Sequence, residues 1–269
     1  MKVVAYVRGN DSRTNERVRH FGEALGAEFR VREDPVDCDL AIQAGFQISP
    51  AMKSAMDSGT PIIILENPVW HYGDKPATYT FGYNGLNGLA FVPESKFRPA
   101  RPKPTLQPWR EPFSGQITVF GQVEHDKALR GADIEAWVAR VQAVIPEAVF
   151  RQHPIMVGQN DPPLGPFEDV LANTSLAITY TSTVGAEAVI AGIPTISCHE
   201  GSLAYAVSSH GLGDAPITPS RSEWIHELSW RHWSTDETLD TNYILSGYEE
   251  ARSRAERGEY DNMSNGRDQ

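Results

Sequence analysis

Two short stretches bring together residue types that bind phosphate. Residues 177–195 read Ala-Ile-Thr-Tyr-Thr-Ser-Thr-Val-Gly-Ala-Glu-Ala-Val-Ile-Ala-Gly-Ile-Pro-Thr. An apolar run ends in Thr181, Ser182 and Thr183, and a helical pattern begins with Gly185 and Glu187 in its first turn. That turn carries unpaired N–H groups and a partial positive charge, so hydroxyls beside it make an anion site suited to a mono- or diphosphate. The plainer alternative is that Ser182 or Thr183 is an N-cap and Glu187 lies on an outer face. The second stretch is Arg151-Gln152-His153-Pro154, at the end of the preceding strand-like run. Proline restricts the loop and lets the imidazole be held in one place. In a parallel α/β sheet ligands sit beyond the carboxyl ends of the strands, where both stretches fall.

Other polar residues follow strand-like runs. Gln122 and Asp126 lie in the first turn of the second half, where Gln122 could bridge a base or sugar and Asp126 could contact the donor or cap the next helix. In the first half Asn10, Asp11, Gln47 and Glu66 occupy the same kind of position, with His71 close behind. Transfer of a group to an acceptor hydroxyl needs a base to take the hydroxyl proton, and Asp11, Glu66 and His71 are the candidates. Asp11 reads equally as a turn or cap residue. Asn10, Gln47, Asn84, Arg13 and Arg17 are the candidate acceptor contacts. The stretch 79–88, Tyr-Thr-Phe-Gly-Tyr-Asn-Gly-Leu-Asn-Gly, fits a loop stacking on a sugar or base, or an irregular hairpin.

The elements that position these residues alternate. Strand-like runs at 3–7, 29–31, 40–42 and 61–65 are separated by helical patterns at 14–25 and 50–58. Six prolines between Pro93 and Pro112 then exclude helix and central strand. The alternation restarts with strands at 117–120, 148–151, 176–180 and 195–198 and helices at 134–144, 167–172 and 184–191. Residues 221–230 and 235–252 read as two further helices. The expectation is an α/β chain of two Rossmann-like domains facing a cleft: an acceptor domain at 1–93, a Pro-rich linker at 94–115, a nucleotide-sugar domain with C-terminal helices at 116–257, and a flexible polar tail at 258–269.

Length and charge restrict the options. The chain has 269 residues, room for two domains. No apolar run approaches the ~20 residues of a membrane span, and Met1 opens directly on a strand-like run, so no signal peptide is expected. The two cysteines, Cys38 and Cys198, are far apart and expected free, which fits a reducing cytoplasm. No Cys/His spacing points to zinc, so neither a metal nor a cofactor is expected. The net charge of −11 disfavours general attraction to nucleic acid. Any DNA contact would be a local patch of Arg13, Arg17 and Arg19, with Arg101 and Arg110 adding to it.

The series His153-Pro154, a short helix near 166–172, Thr181-Ser-Thr-Val-Gly-Ala-Glu187-Ala and Ala191-Gly-Ile-Pro194 resembles the C-terminal domain of GT-B glycosyltransferases related to capsular-polysaccharide Kdo transferases and bacterial sialyltransferases. The resemblance implies that His153 and the Ser/Thr turn contact the donor phosphate, that Glu187 lies near ribose or base, and that a nucleotide sugar is the co-substrate. Phage-encoded proteins of similar length share Asn84-Gly-Leu-Asn-Gly88, a Gln122 to Asp126 turn and Glu223-Trp224 to Trp233. That likeness implies a bacterial or phage-infected cytoplasm and a hydroxymethylated pyrimidine in DNA as acceptor, with a surface polysaccharide as the competing acceptor. The acidic Asp/Glu-Asp/Glu-Gly motif that carries the base in sialyltransferases is absent. A nucleotide-sugar epimerase and a non-catalytic nucleotide-binding protein are the alternatives from other classes.

Overall fold

A computed structural model describes residues 1–9, 13–46, 49–70, 77–158 and 165–261, with the Arg13 side chain left aside. The chain divides into two compact units, Met1–Pro102 with Ile225–Asn262, and Lys103–Trp224.

The first unit is built on a six-stranded sheet. Its strands are β1 (Val3–Val7), β2 (Glu28–Val31), β3 (Leu40–Ala44), β4 (Ile62–Glu66), β5 (Thr78–Tyr83) and β10 (His232–Ser234), in the order β10-β5-β4-β3-β1-β2. The first four are parallel; β5 runs antiparallel to both β4 and β10. Helix α1 (Arg13–Ala24) buries Val18 and Phe21, the face its apolar spacing defines. Helix α2 (Pro50–Ser58) starts where Ser49 Oγ accepts the Met52 N–H and ends at Gly59. The core gathers Phe21, Ile42, Ile63 and Tyr79 with Trp233, Tyr243 and Ile244 from the far end of the sequence.

That last group departs from the expected division. Residues 225–261 complete the first unit instead of extending the second, and the start of the expected flexible tail is held there: Tyr260 and Asp261 are buried, and Tyr260 Oη donates to the Thr60 carbonyl at 2.8 Å. Residues 235–252 are not one helix: α7 (Thr241–Ser246), capped by Asp240, and α8 (Tyr248–Glu256) follow strand β10. The physical reason is long-range. Trp233 pairs with Tyr79 across the sheet edge, and Tyr83 Oη donates to the Ile244 carbonyl at 2.8 Å. Residues 78–83 are accordingly a buried strand and not a loop. Gly82 is required there, because a Cβ would fall 2.3 Å from that of Ala90.

The second unit carries four parallel strands, β6 (Gln116–Phe120), β7 (Val149–Arg151), β8 (Thr174–Thr179) and β9 (Thr195–Ser197), in the order β7-β6-β8-β9. Helix α3 (Ile134–Val144), capped by Asp133, packs Trp137, Val138 and Val141 onto it. Helices α4 (Phe167–Asn173) and α5 (Val184–Ile190) meet the sheet through Phe120, Ala177 and Ala188. Helix α6 (Ser222–Arg231) contains the boundary between the units.

The Pro-rich stretch is extended but well anchored. Arg101 stacks 3.4 Å over the Trp233 ring and donates to the Ser229 and His232 carbonyls. Further along, Gln107 N–H donates to Ile190 and Arg110 N–H to Gly192.

Candidate functional site

The carboxyl ends of the second sheet bring together His153 after β7, Gln122 after β6, Tyr180 to Thr183 after β8 and His199 after β9. At the centre, Gln122 and Thr181 are bound to each other. The Thr181 N–H donates to Gln122 Oε1 at 2.8 Å, Gln122 Nε2 donates to Thr181 Oγ1 at 3.0 Å, and Thr181 Oγ1 reaches the Ala128 carbonyl at 3.0 Å. Both residues are buried. Their hydrogen-bonding groups join two strand-end loops, a use the sequence does not disclose.

His153 sits differently. Its Nδ1 accepts the Ile155 N–H at 3.2 Å and so begins a 3-10 turn over Pro154–Met156. With Nδ1 accepting, the neutral ring carries its proton on Nε2. Burial lowers the His153 pKa from its ordinary value, opposed by the nearby Asp126 carboxylate. At neutral pH His153 therefore offers an uncharged N–H donor. It lines a cavity of about 210 Å³ between the β6 and β7 ends and α3. Phe150 and Val138 supply apolar wall; Gln122, Gln152 and Glu135 supply polar edges. An apolar slot with a few convergent polar groups suits a ring-bearing ligand.

The hydroxyl turn divides its roles. Ser182 Oγ accepts the Val184 N–H at 3.3 Å from one residue ahead of the N-cap position, which Thr183 occupies. Thr183 makes no side-chain cap and is half-buried. Gly185 is held by the protein itself: a Cβ there would lie 2.9 Å from Thr179 Oγ1 and 3.4 Å from the Ala204 Cβ. Glu187, on α5, has its pKa raised to about 7 by burial first and by the Glu168 carboxylate second. It can act as hydrogen-bond donor and acceptor near neutrality, which fits a sugar diol.

Asp126 Oδ1 accepts the Ala128 N–H and caps a 3-10 turn, so the cap alternative holds for it. Arg151 donates to the Gly165 carbonyl at 3.0 Å and lies over the Phe167 ring, fixing the start of α4. In the first unit, Glu66 ends β4 half-buried with the Arg32 cation near it. Arg17 Nη1 donates to Asn67 Oδ1 at 3.1 Å. Asn10, Asp11, Gln47, His71 and the Arg13 side chain lie outside the described residues.

Asn84 does not serve an acceptor. It is 4% exposed, its Oδ1 accepts the Ile62 N–H, and its Nδ2 donates to the Ala251 carbonyl. Arg101 and Arg110 are likewise withdrawn from any DNA patch. Arg101 pairs with Glu237, and Arg110 Nη1 donates to the Leu171, Ala172 and Thr174 carbonyls at the end of α4. Arg19 lies over the Phe29 ring. Sequence reasoning missed His199, whose ring meets Tyr180 at 5.2 Å, and Arg130, which a Cβ on Gly201 would strike. Only the strand expected at 195–198 hinted at the former.

Searched against family models and against curated proteins, the chain matches none. Solved structures do match. A β-Kdo 2,4 transferase structure of KpsC from Thermosulfurimonas dismutans aligns over 94% of this chain and 98% of its own, with TM-score 0.54 and 14% identity. The β-Kdo 2,7 transferase structure of KpsC from the same organism aligns over 94% and 99%, with TM-score 0.55 and 13% identity. The chain shares their fold. The likeness spans both units, the first half included, where the sequence resemblance was weakest. At this identity the shared fold leaves substrate and mechanism to the site's own chemistry.

Both cysteines are free. Among the described residues no helix is long and apolar enough to cross a membrane.

Proposed function

We propose that the chain is a metal-independent glycosyltransferase of GT-B type that uses a nucleotide sugar. The single observation that carries this reading is His153. Its ring is fixed through Nδ1, leaving Nε2–H for a ligand, and it lines an apolar-walled cavity at the carboxyl ends of a parallel sheet. That arrangement suits a donor whose phosphate meets His153 and Thr183 while its base or sugar occupies the slot. Glu187 would hold a ribose hydroxyl. The two KpsC structures that share the fold are Kdo transferases, which supports sugar transfer as the reaction class.

The reaction would be a displacement with inversion. The acceptor oxygen attacks the anomeric carbon, the bond to the nucleotide phosphate breaks, and a base in the first unit takes the acceptor proton. Asp11, Glu66 and His71 remain the candidates. Hydrogen bonds from neutral donors stabilise the leaving phosphate without a metal ion.

The acceptor we favour is a glycan, in line with the transferases that share the fold. A hydroxymethylated pyrimidine in DNA would require phosphate contacts from a basic patch, and two of its five arginines, Arg101 and Arg110, are bonded internally.

The test is a screen of UDP-, GDP-, CMP- and dTDP-sugars for thermal stabilisation, followed by transfer assays on acidic oligosaccharides and on hydroxymethylated DNA. Stabilisation by a donor with transfer to a glycan supports the reading. Epimer formation from the free nucleotide sugar, or binding with no transfer to any acceptor, would replace it with one of the alternatives.

A further inference from the structure

We propose that the carboxyl end of the first sheet is an anion site, built on Arg8 and Arg32 at the end of β3 with Arg17 at its rim, that takes the carboxylate or phosphate group of an acidic acceptor. The word acceptor rests on the proposed function; the anion site itself does not.

The site follows from the strand order. Strand β1 lies between β2 and β3, with Val7 level with Val31. The next residue on each strand is an arginine, so Arg8 and Arg32 leave the sheet side by side. Both guanidinium groups converge on Ala44-Gly45. Arg32 Nη2 donates to the Ala44 carbonyl, and a Cβ on Gly45 would lie 3.8 Å from Arg8 Nη2. Arg32 is only 5% exposed. Arg17 reaches the same edge from α1 through its bond to Asn67, just beyond β4.

Two like charges held together in a partly buried place are costly, and the cost is visible. Burial, and then the Arg8 cation, push Arg32 down to about 10. Glu66 and the exposed Glu33 oppose this effect. Arg8 has donor capacity to spare. Its Nε is buried without a hydrogen-bond partner. Yet its main chain is clamped: the Arg8 N–H donates to Asn15 Oδ1 at 2.8 Å and Asn15 Nδ2 donates to the Arg8 carbonyl at 3.0 Å. A guanidinium on a clamped main chain, with an unused Nε–H donor and beside a second guanidinium, matches the flat two-oxygen edge of a carboxylate or phosphate.

The experiment is calorimetric titration of the full chain with inorganic phosphate, with galacturonate as a sugar carboxylate, and with galactose as the uncharged control. One or both anions should bind and galactose should not. Preference for galacturonate points to an acidic sugar and preference for phosphate to a phosphorylated acceptor. Arg8→Gln should weaken anion binding about tenfold or more, and Arg8→Lys less. Arg252→Gln, on the surface of α8, controls for the loss of a positive charge. His153→Ala should leave this binding in place, which separates it from any phosphate site in the second unit. If Arg8→Gln fails to fold, Arg17→Gln should still weaken binding about threefold. The idea is overturned if no anion binds the parent, or if the arginine variants bind as the parent does. Anion binding without nucleotide-sugar binding would sink the transferase reading alone. Transfer to a neutral acceptor by a chain that binds no anion would sink this inference alone.

Discussion

Gln122 and Thr181 lie 59 residues apart and exchange two hydrogen bonds, the Thr181 N–H to Gln122 Oε1 at 2.8 Å and Gln122 Nε2 to Thr181 Oγ1 at 3.0 Å. The bonds tie the loop after β6 to the turn before α5 inside the second unit. The His153 cavity and the hydroxyl turn both border this tie, so their spacing depends on it. Gln122 thus holds these loops in place as well as lining the cavity.

Gln122→Ala is expected to lower unfolding free energy by about 1–3 kcal/mol, because the buried Thr181 N–H is left without its acceptor. Urea denaturation checks this through a lower midpoint at unchanged slope. A variant as stable as the parent would mean that water or another group replaces the side chain.

His153→Ala is expected to weaken nucleotide-sugar binding about tenfold with little change in melting temperature, since the ring caps only a short 3-10 turn. The pH dependence has a definite sign. The folded-state pKa lies below the ordinary 6.5, so the neutral ring adds stability above that value and the contribution is lost as pH falls through the folded pKa. A phosphate beside Nε2 favours the charged ring, so it should raise the His153 pKa and tighten binding on the acid side. Histidine NMR titration with and without nucleotide sugar reads this directly. An unmoved pKa would remove the phosphate from His153.

Much of the second unit could be read from sequence because its signals are local. Strand ends, Asp133, His153-Pro154 and the Thr181–Thr183 turn lie within a few residues of the elements they punctuate. The first unit was harder. Three residues, His232 to Ser234, are too few to announce a strand, and only pairing with Tyr79 makes them one. Thr78–Tyr83 has a glycine and three aromatics, a loop composition that burial on both faces overrides. The juxtaposition of Arg8 and Arg32 depends on strand order, which no local pattern encodes. Asn84 looked available because its asparagine- and glycine-rich surroundings suggest a surface turn, whereas tertiary packing buries it.

Glu187→Gln is expected to stabilise the protein at pH 8 and to make little difference below pH 4.5. The carboxyl is raised from 4.5 to about 7 in the fold. The folded state therefore takes up a proton first, and stability from this group falls as pH rises from 4.5 through about 7. Allowing for screening at a half-buried position, the gain at pH 8 should be about 1–2 kcal/mol. Glu168→Gln should lower the Glu187 midpoint, because the Glu168 carboxylate is the second cause of the shift. Stability curves for the parent and both variants from pH 4 to pH 9 test the pair. Parallel curves for parent and Glu187→Gln would mean that Glu187 titrates as an ordinary carboxyl.

Gly185 distinguishes a packing constraint from a ligand constraint. A methyl at this position meets Thr179 Oγ1 at 2.9 Å, the Ala204 Cβ at 3.4 Å and Ser202 Oγ at 3.5 Å. Gly185→Ala should therefore destabilise the second unit by about 1–3 kcal/mol through overpacking, partly offset by the helix preference of alanine. Thr179 Oγ1 is the nearest of these atoms and is itself buried without a hydrogen-bond partner. Removing it forfeits no hydrogen bond, and Thr179→Ala opens the space that the methyl needs. The double variant should recover most of the loss, giving a coupling energy of about 1 kcal/mol or more in a double-mutant cycle. If ligand approach sets the constraint instead, Gly185→Ala will keep parental stability, lose donor binding, and gain nothing from Thr179→Ala. Denaturation and donor titration on the four proteins separate the two cases.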